Sequence, residues 1–478
     1  MISRVTLLPS ARRLMDSLRE IGYDLPSAVA DIVDNSIAAE ARNIDLTFAF
    51  DGPDSWIRVV DDGVGMSGSL LEEAMRYGTE RAYDPQELGR FGLGLKTASL
   101  SQCRRLTVAS RRGRERRRIE IRRWDLDHVL RSNRWEVIRI DARSAPPEVL
   151  NPLLEHPGTV VLWEGLDRVL DYRVPGGLAA RHGFGELAST VADHLAMVFH
   201  RFLAGEAQGR RRVTLSTNGT PIHPWDPYAR AEPHTRALAA QTITIPSEDG
   251  QLHVRVRPFI LPPQERFSSA TAHTRAAGPQ RWNRQQGFYV YRNDRLIQAG
   301  GWNRLRTLDE HTKLARVAID LPLGSDEVFR VNVAKMRVTI PRPLREPLMA
   351  IATGVASEAG ARYRTPADRV RHAADGQNEP VRPATAMVAT LNFVERDLLQ
   401  TVLQVARDEF REEPDVLRRL LSRIERLPAT DGTVDLAGAD PNKGFGLMVR
   451  GASHRIPGRS HDQSLVGAHQ TAQGNPVP

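Results

Sequence analysis

Cysteine is almost absent: Cys103 stands alone in 478 residues. That excludes an internal disulfide framework and a cysteine-built zinc site. Long apolar runs are absent too, since none approaches the ~20 residues of a membrane-spanning helix. The opening segment Met1–Ser10 lacks the charged start and apolar stretch of a secretion signal. These absences predict a cytoplasmic protein without membrane contact. No internal repeat is visible. Lysine is scarce: of 66 Lys plus Arg only Lys96, Lys313, Lys335 and Lys443 are lysine. A lysine kept in so arginine-rich a chain points to a position that needs a compact ammonium and not a planar fork.

Apolar residues make up 41% and charged residues 26%, as in a globular protein, and the length implies two or three domains. The net charge of +8 is uneven, because Arg104–Arg123 alone holds ten arginines against two glutamates. Such a stripe suits a phosphate backbone. It equally suits a solvated hairpin in an arginine-rich chain.

Helices are expected over 11–22 and 26–41. β-runs are expected at Ile44–Phe50, Trp56–Val60, Leu106–Ser110, Arg118–Trp124 and Thr159–Trp163, with a helix over Gly185–Leu203. Helices and strands alternate as in an α/β sandwich. A second α/β unit follows, with strands at Arg212–Ser216, Thr242–Ile245, His253–Ile260, Phe288–Arg292, Val317–Leu321 and Phe329–Val333. Pro262–Gln286, polar and rich in Pro, Arg and Gly, reads as a mobile loop. Arg342–Arg362 reads as helix, Arg364–Pro383 as linker, Thr390–Leu427 as helix and Ala437–Pro478 as a disordered tail. The expected division is 1–205, 206–345, a helical extension over 346–430 and a tail over 431–478.

Three elements near the start carry chemistry. In Asp31-Ile32-Val33-Asp34-Asn35-Ser36, Asp31 and Asn35 share a helix face. The carboxylate can activate a water, and the amide oxygen can complete a magnesium shell. Asp61-Asp62-Gly63-Val64-Gly65-Met66 follows a β-run. Its first carboxylate can accept from an exocyclic amine, and its glycines permit close ligand approach. Gly89-Arg90-Phe91-Gly92-Leu93-Gly94-Leu95-Lys96 precedes a helical stretch, and its N–H groups can cradle phosphates. Each element alone is common; their order and spacing together are specific.

Together they resemble the N, G1 and G2 boxes of the gyrase–chaperone–histidine kinase–MutL (GHKL) superfamily. Gly158-Thr159 is similar to that family's later Gly-Thr element near the base. The resemblance implies an α/β (α+β) fold, the left-handed GHKL sandwich, followed by a transducer-like second α/β domain and a small helical C-terminal extension. It implies ATP and Mg2+ as cofactors. Asp31 would be the general base, and Asn35 the metal ligand. Asp61 would hold the adenine amino group, with Gly63, Gly65, Met66 and Thr159 around the base. Gly89, Gly92, Gly94 and Lys96 would hold phosphates, and residues 66–95 would form a lid.

Two departures stand out. Asp31 replaces the family's usual glutamate, one methylene longer, which favours slow turnover. The family's Asn-Ser-x-Asp-Ala continues here as Asn35-Ser36-Ile37-Ala38-Ala39, without the second aspartate. Phe288–Ile297 resembles the transducer strand-turn-strand of MutL- and MORC-type ATPases. Val331-Asn332-Val333-Ala334-Lys335 is similar to the stretch carrying their γ-phosphate lysine, which makes Lys335 a second catalytic candidate. No phospho-acceptor hairpin and no topoisomerase cleavage region is read in these residues, which disfavours the histidine-kinase and gyrase branches of the superfamily. The resemblance implies an ATP-dependent homodimer that clamps duplex DNA, through the Arg111–Arg118 region, or a protein partner carrying a nuclease or other effector, as in repair or phage defence. A regulatory module that binds ATP with little hydrolysis is the alternative.

Overall fold

The computed structural model describes residues 9–20, 23–78, 94–113, 118–247, 250–330 and 338–363. The first part runs α1 (Ala11–Arg19), α2 (Leu25–Ala38), β1 (Asn43–Ala49), β2 (Trp56–Asp61), α3 (Gly68–Met75) and α4 (Gly94–Leu100). It continues with β3 (Arg105–Arg111), β4 (Glu120–Asp125), α5 (Leu126–Ser132), β5 (Ile138–Arg139), α6 (Pro147–Glu155) and β6 (Gly158–Glu164). It closes with α7 (Leu178–Val198), α8 (His200–Ala204), β7 (Thr214–Thr217) and β8 (Thr220–Pro221). The strands form one sheet, β5-β4-β3-β6-β2-β1-β7-β8, antiparallel throughout except where β1 meets β7. This is the expected mixed α/β sandwich.

Local chemistry sets the helix that matters most. Asp24 caps α2, its carboxylate accepting the Ser27 N–H at 2.8 Å, with Pro26 in the first turn. Apolar Ala28, Val29, Ile32, Val33 and Ile37 lie in the main core with Leu46, Val59, Leu106 and Trp163. Each fully buried large side chain there stabilises by about 1.5–3 kcal/mol. A smaller core of Val149, Leu153, Ala109, Ile121, Val160 and Leu162 forms under α6. β6 is therefore buried on both faces, which is why it reads as a continuous apolar run and not an alternating one.

The second part runs β9 (Arg236–Ala237), β10 (Gln241–Ser247), β11 (Gly250–Ile260), α9 (Ala270–Ala276), α10 (Arg281–Gln285), β12 (Gly287–Arg292), β13 (Arg295–Ala299), β14 (Ala315–Leu321) and α11 (Arg342–Tyr363). Its sheet has the order β10-β11-β14-β12-β13, with β9 on β11. Leu344, Leu348, Ile351 and Val355 of α11 enter its core beside Val317, Ile319 and Phe288. The β12–β13 turn has positive φ at Asn293 and Asp294, which those residues tolerate best after glycine.

Several expectations change. Pro262–Gln286 is not a plain loop: it holds a 3-10 turn at Gln264–Arg266 and helices α9 and α10. Ser269 caps α9, and Trp225 donates to the Arg275 carbonyl at 2.8 Å. Helices this short and polar carry no apolar period to read. Phe329 and Arg330 lie in a turn, not a strand, and 331–333 lie outside the described residues. The helix expected from Gly185 starts at Leu178 and breaks at Phe199. α3, α5 and α6 were not anticipated. The expected linker, the helix over Thr390–Leu427 and the tail lie outside the described residues. No described helix is long and apolar enough to cross a membrane.

Candidate nucleotide site

Helix α2 is buried along almost its whole length, yet Asn35 is exposed. Asp31, one turn earlier, is buried at 2% exposure. Its Oδ2 accepts the Tyr23 hydroxyl at 2.9 Å. A Cβ placed on Gly94 would lie 3.2 Å from that same oxygen. The start of α4 therefore faces the Asp31 carboxylate, bringing the first and third motifs together. Burial and the Asp31 charge push the Tyr23 phenol far above its ordinary range, so it is a fixed donor.

Asp61 and Asp62 look alike in sequence and do different work. Asp62 is spent on structure, accepting the N–H groups of Arg42 and Asn43 at 2.7 and 2.9 Å. Asp61 is buried at the end of β2. Its Oδ2 accepts the Ser36 hydroxyl at 2.9 Å and its Oδ1 the Gly63 N–H at 3.0 Å. Burial raises its pKa to about 6, against the opposing pull of those hydrogen bonds. Thr159, almost a hundred residues on, is its cross-strand partner. The Thr159 and Ser110 hydroxyls lie 3.0 Å apart, and Ser110 Oγ accepts the Met66 N–H at 2.8 Å. Asp61, Gly63, Met66 and Thr159 thus form one cluster. Gly65 has φ +67°, and a Cβ there would sit 2.1 Å from the Arg111 carbonyl oxygen; only glycine fits.

Lys96 is also buried. Its Nζ donates to the Ala74 carbonyl at 2.9 Å and lies 5.9 Å from the Tyr77 ring, and burial lowers its pKa to about 8. The ammonium is thereby turned toward the end of α3. Gly89, Gly92 and Lys335 lie outside the described residues, as does the stretch 79–93 of the lid expected over 66–95.

The arginine stripe divides. Arg111 is buried and donates to the Leu153 and Leu154 carbonyls at 2.6 and 2.7 Å, closing the end of α6. It cannot also reach a DNA backbone, which corrects the expectation for that residue. Arg122 pairs with Glu72 and Glu120, Arg123 with Glu164, and Arg104 with Asp127 and Asp167. Arg112 and Arg118 are exposed, with Arg118 pairing to Glu120 at 2.6 Å; Arg114, Arg116 and Arg117 lie outside the described residues.

Tyr23, Ser36, Ser110 and Arg295 were not singled out from sequence. Ser36 lay inside the first motif. Arg295 lay inside the Phe288–Ile297 strand-turn-strand resemblance, though nothing there pointed to Asp31, and Tyr23 and Ser110 carry no local signal, since only the fold brings them to the site.

The donor set fits magnesium with nucleotide better than a protein-only metal site. Among the described residues no group of three His, Cys, Asp or Glu gathers to hold an ion. Asn35 offers one exposed amide oxygen. Magnesium bound there would complete its octahedron with phosphate and water oxygens.

Residues 23–155 match the family described as histidine kinase-, DNA gyrase B- and HSP90-like ATPase. The similarity to these ATPase domains is confined to this segment, less than a third of the chain. Over 86 residues the chain is 30% identical to the ATPase morc-1 of Caenorhabditis elegans, an overlap of 18% of this chain and 10% of that protein. The chain therefore spans about a tenth of that relative, and its similarity to a MORC ATPase rests on this stretch.

Proposed function

We propose that the chain binds ATP with magnesium across α2, the Asp61 cluster and the start of α4, and hydrolyses it slowly with Asp31 as general base. The observation that carries this is the approach of the Asp31 carboxylate to Gly94, with Asn35 exposed one turn away. A water between carboxylate and γ-phosphate would give up its proton to Asp31 as it attacks. Asn35 would hold the metal, and the metal would offset phosphate charge. Asp61 would accept the adenine amine beside Thr159 and Met66. Gly89, Gly92, Gly94 and Lys96 would hold phosphates, and Lys335 would reach the γ-phosphate from the second unit.

ATP would then close the lid and join two chains into a clamp, because closed-state contacts exist only with nucleotide present. The client would be duplex DNA, met by Arg112 to Arg118, or a protein partner with its own effector activity, in repair or phage defence. We take the cytoplasm as the place of action.

An ATP-binding switch with little hydrolysis is the second reading. It is favoured by Asp31 being short for a base and already engaged by Tyr23. Steady-state phosphate release by the wild type, with and without DNA, separates the two. Under the first reading Asp31→Asn binds ATP as the wild type does and loses that turnover. Wild-type turnover in that variant would remove Asp31 as the base.

A further inference from the structure

We propose that Arg295 is a positioning residue for the Asp31 carboxylate, making the hydrolytic geometry conditional on docking of the β12–β13 hairpin. This rests on the reading of Asp31 as general base. Arg295 begins β13, in the second sheet, and is 3% exposed. Its Nε lies 2.9 and 2.8 Å from the two oxygens of Asp34, which is fully buried. Its Nη2 lies 3.7 Å from Asp31 Oδ1. The two oxygens of Asp31 thus have separate surroundings. Oδ2 faces Tyr23 and Gly94, and Oδ1 faces an arginine from the other sheet.

The anchor is rigid at both ends. Asp34 takes the Nε edge of the guanidinium and fixes its plane. The turn before Arg295 is held by Arg201, which pairs with Asp294 at 2.9 Å and with Asp320 at 2.6 Å. The Phe199 ring packs 5.8 Å from the guanidinium. His194, half-buried nearby with a pKa lowered to about 4 by desolvation and the Arg295 charge, stays neutral and adds no competing cation. Burying two carboxylates with one arginine carries a large desolvation cost, and an apolar contact would join the two sheets at less. The arrangement gains something an apolar contact lacks: a charged fork whose position follows the hairpin and whose Nη2 side faces the base. Should the hairpin lift, Asp31 would lose the guanidinium beside Oδ1 while keeping the Tyr23 hydroxyl on Oδ2.

The test uses the full chain with Arg295→Gln, Arg295→Lys, Asp31→Asn and the Arg295→Gln/Asp31→Asn pair. Fluorescent-nucleotide titration gives affinity, phosphate release gives turnover per nucleotide-binding site, and thermal melting without nucleotide gives the coupling. Arg295→Gln should keep affinity within about twofold. Its turnover per site should fall about 100-fold, the effect of a base displaced by about 1 Å. Arg295→Lys keeps a charge for Asp34 but not the fork, so it should fold and lose about tenfold. The melting shifts of Arg295→Gln and Asp31→Asn should be non-additive. A purely structural role would lower the melting temperature and leave turnover per binding site unchanged, which would overturn the proposal. Should Arg295→Gln not fold, wild-type turnover per site in Arg295→Lys overturns it. Additive melting shifts overturn it as well. A wild-type chain without turnover, or an Asp31→Asn chain with normal turnover, overturns the hydrolysis reading and the proposal with it. Turnover abolished by Asp31→Asn but indifferent to Arg295→Gln overturns the proposal alone.

Discussion

Acidification should act on this protein through Asp61 in two opposite directions at once. Its carboxyl titrates at about 6 in the folded chain, against 3.8 for an unperturbed aspartate. A raised pKa in an acid means that the folded state holds the proton more tightly than the unfolded one. The stabilising difference is complete below about pH 4 and is lost as pH rises through about 6. Its size is about 3 kcal/mol, from a shift of about two pK units. Nucleotide binding runs the other way, because only the ionised carboxylate has every lone pair available. Ser36, Gly63 and the Thr159 N–H already occupy three of its roughly four acceptor positions. A proton would take the position left for the adenine amine. At about pH 5 roughly a tenth of Asp61 is ionised, so affinity should fall about tenfold from its value at pH 8. The phosphates of ATP titrate in the same window, and comparison with Asp61→Asn removes their contribution. That variant should lack the Asp61 component of both profiles. It should also bind weakly at every pH, since its NH2 group opposes buried donors. Urea unfolding and calorimetric titration from about pH 5 to pH 8 measure the two effects. Parallel pH profiles for the wild type and Asp61→Asn would refute the reasoning.

Other expectations follow from single contacts. Gly65→Ala forces a left-handed alanine into the Arg111 carbonyl and should cost at least about 2 kcal/mol in urea unfolding; an unchanged midpoint would mean the turn can relax. Arg112, Arg114, Arg116 and Arg117 changed together to Glu should lower duplex affinity and flatten its salt dependence in fluorescence anisotropy. Arg111→Ala should instead lower thermal stability and leave DNA affinity alone, and the reverse pattern would restore Arg111 to the interface. Lys335→Ala should bind ADP normally yet lose dimerisation induced by a non-hydrolysable ATP analogue, read by light scattering; normal dimers would make Lys335 a surface residue.

The parts of the site legible in sequence are those that one element carries by itself. Asp31 and Asn35 share α2, and Asp61, Gly63 and Gly65 share one strand end and its turn. Their spacing and residue types were enough to propose the chemistry. Contacts between distant segments were not legible. Nothing in Ser110 announces that it links Met66 to Thr159, and nothing in Arg295 points 261 residues back to Asp34. The arginine run misled for a related reason. Charge counted along the chain ignores partners: carbonyls at the end of α6 take Arg111, and the carboxylates of Glu72 and Glu164 take Arg122 and Arg123 on opposite faces of β4. Among the elements, long buried strands and capped helices were readable from apolar pattern. Short polar helices such as α9 and α10 were not, since tertiary contacts hold them.

The central claim is the nucleotide pocket itself, and titration of ATP with magnesium into the purified chain and into Asn35→Ala tests it most directly. The wild type should show saturable binding in the micromolar range that is lost when magnesium is chelated, and Asn35→Ala should show none at the same concentrations. Equal affinity in the two proteins, or binding indifferent to magnesium, would contradict the account.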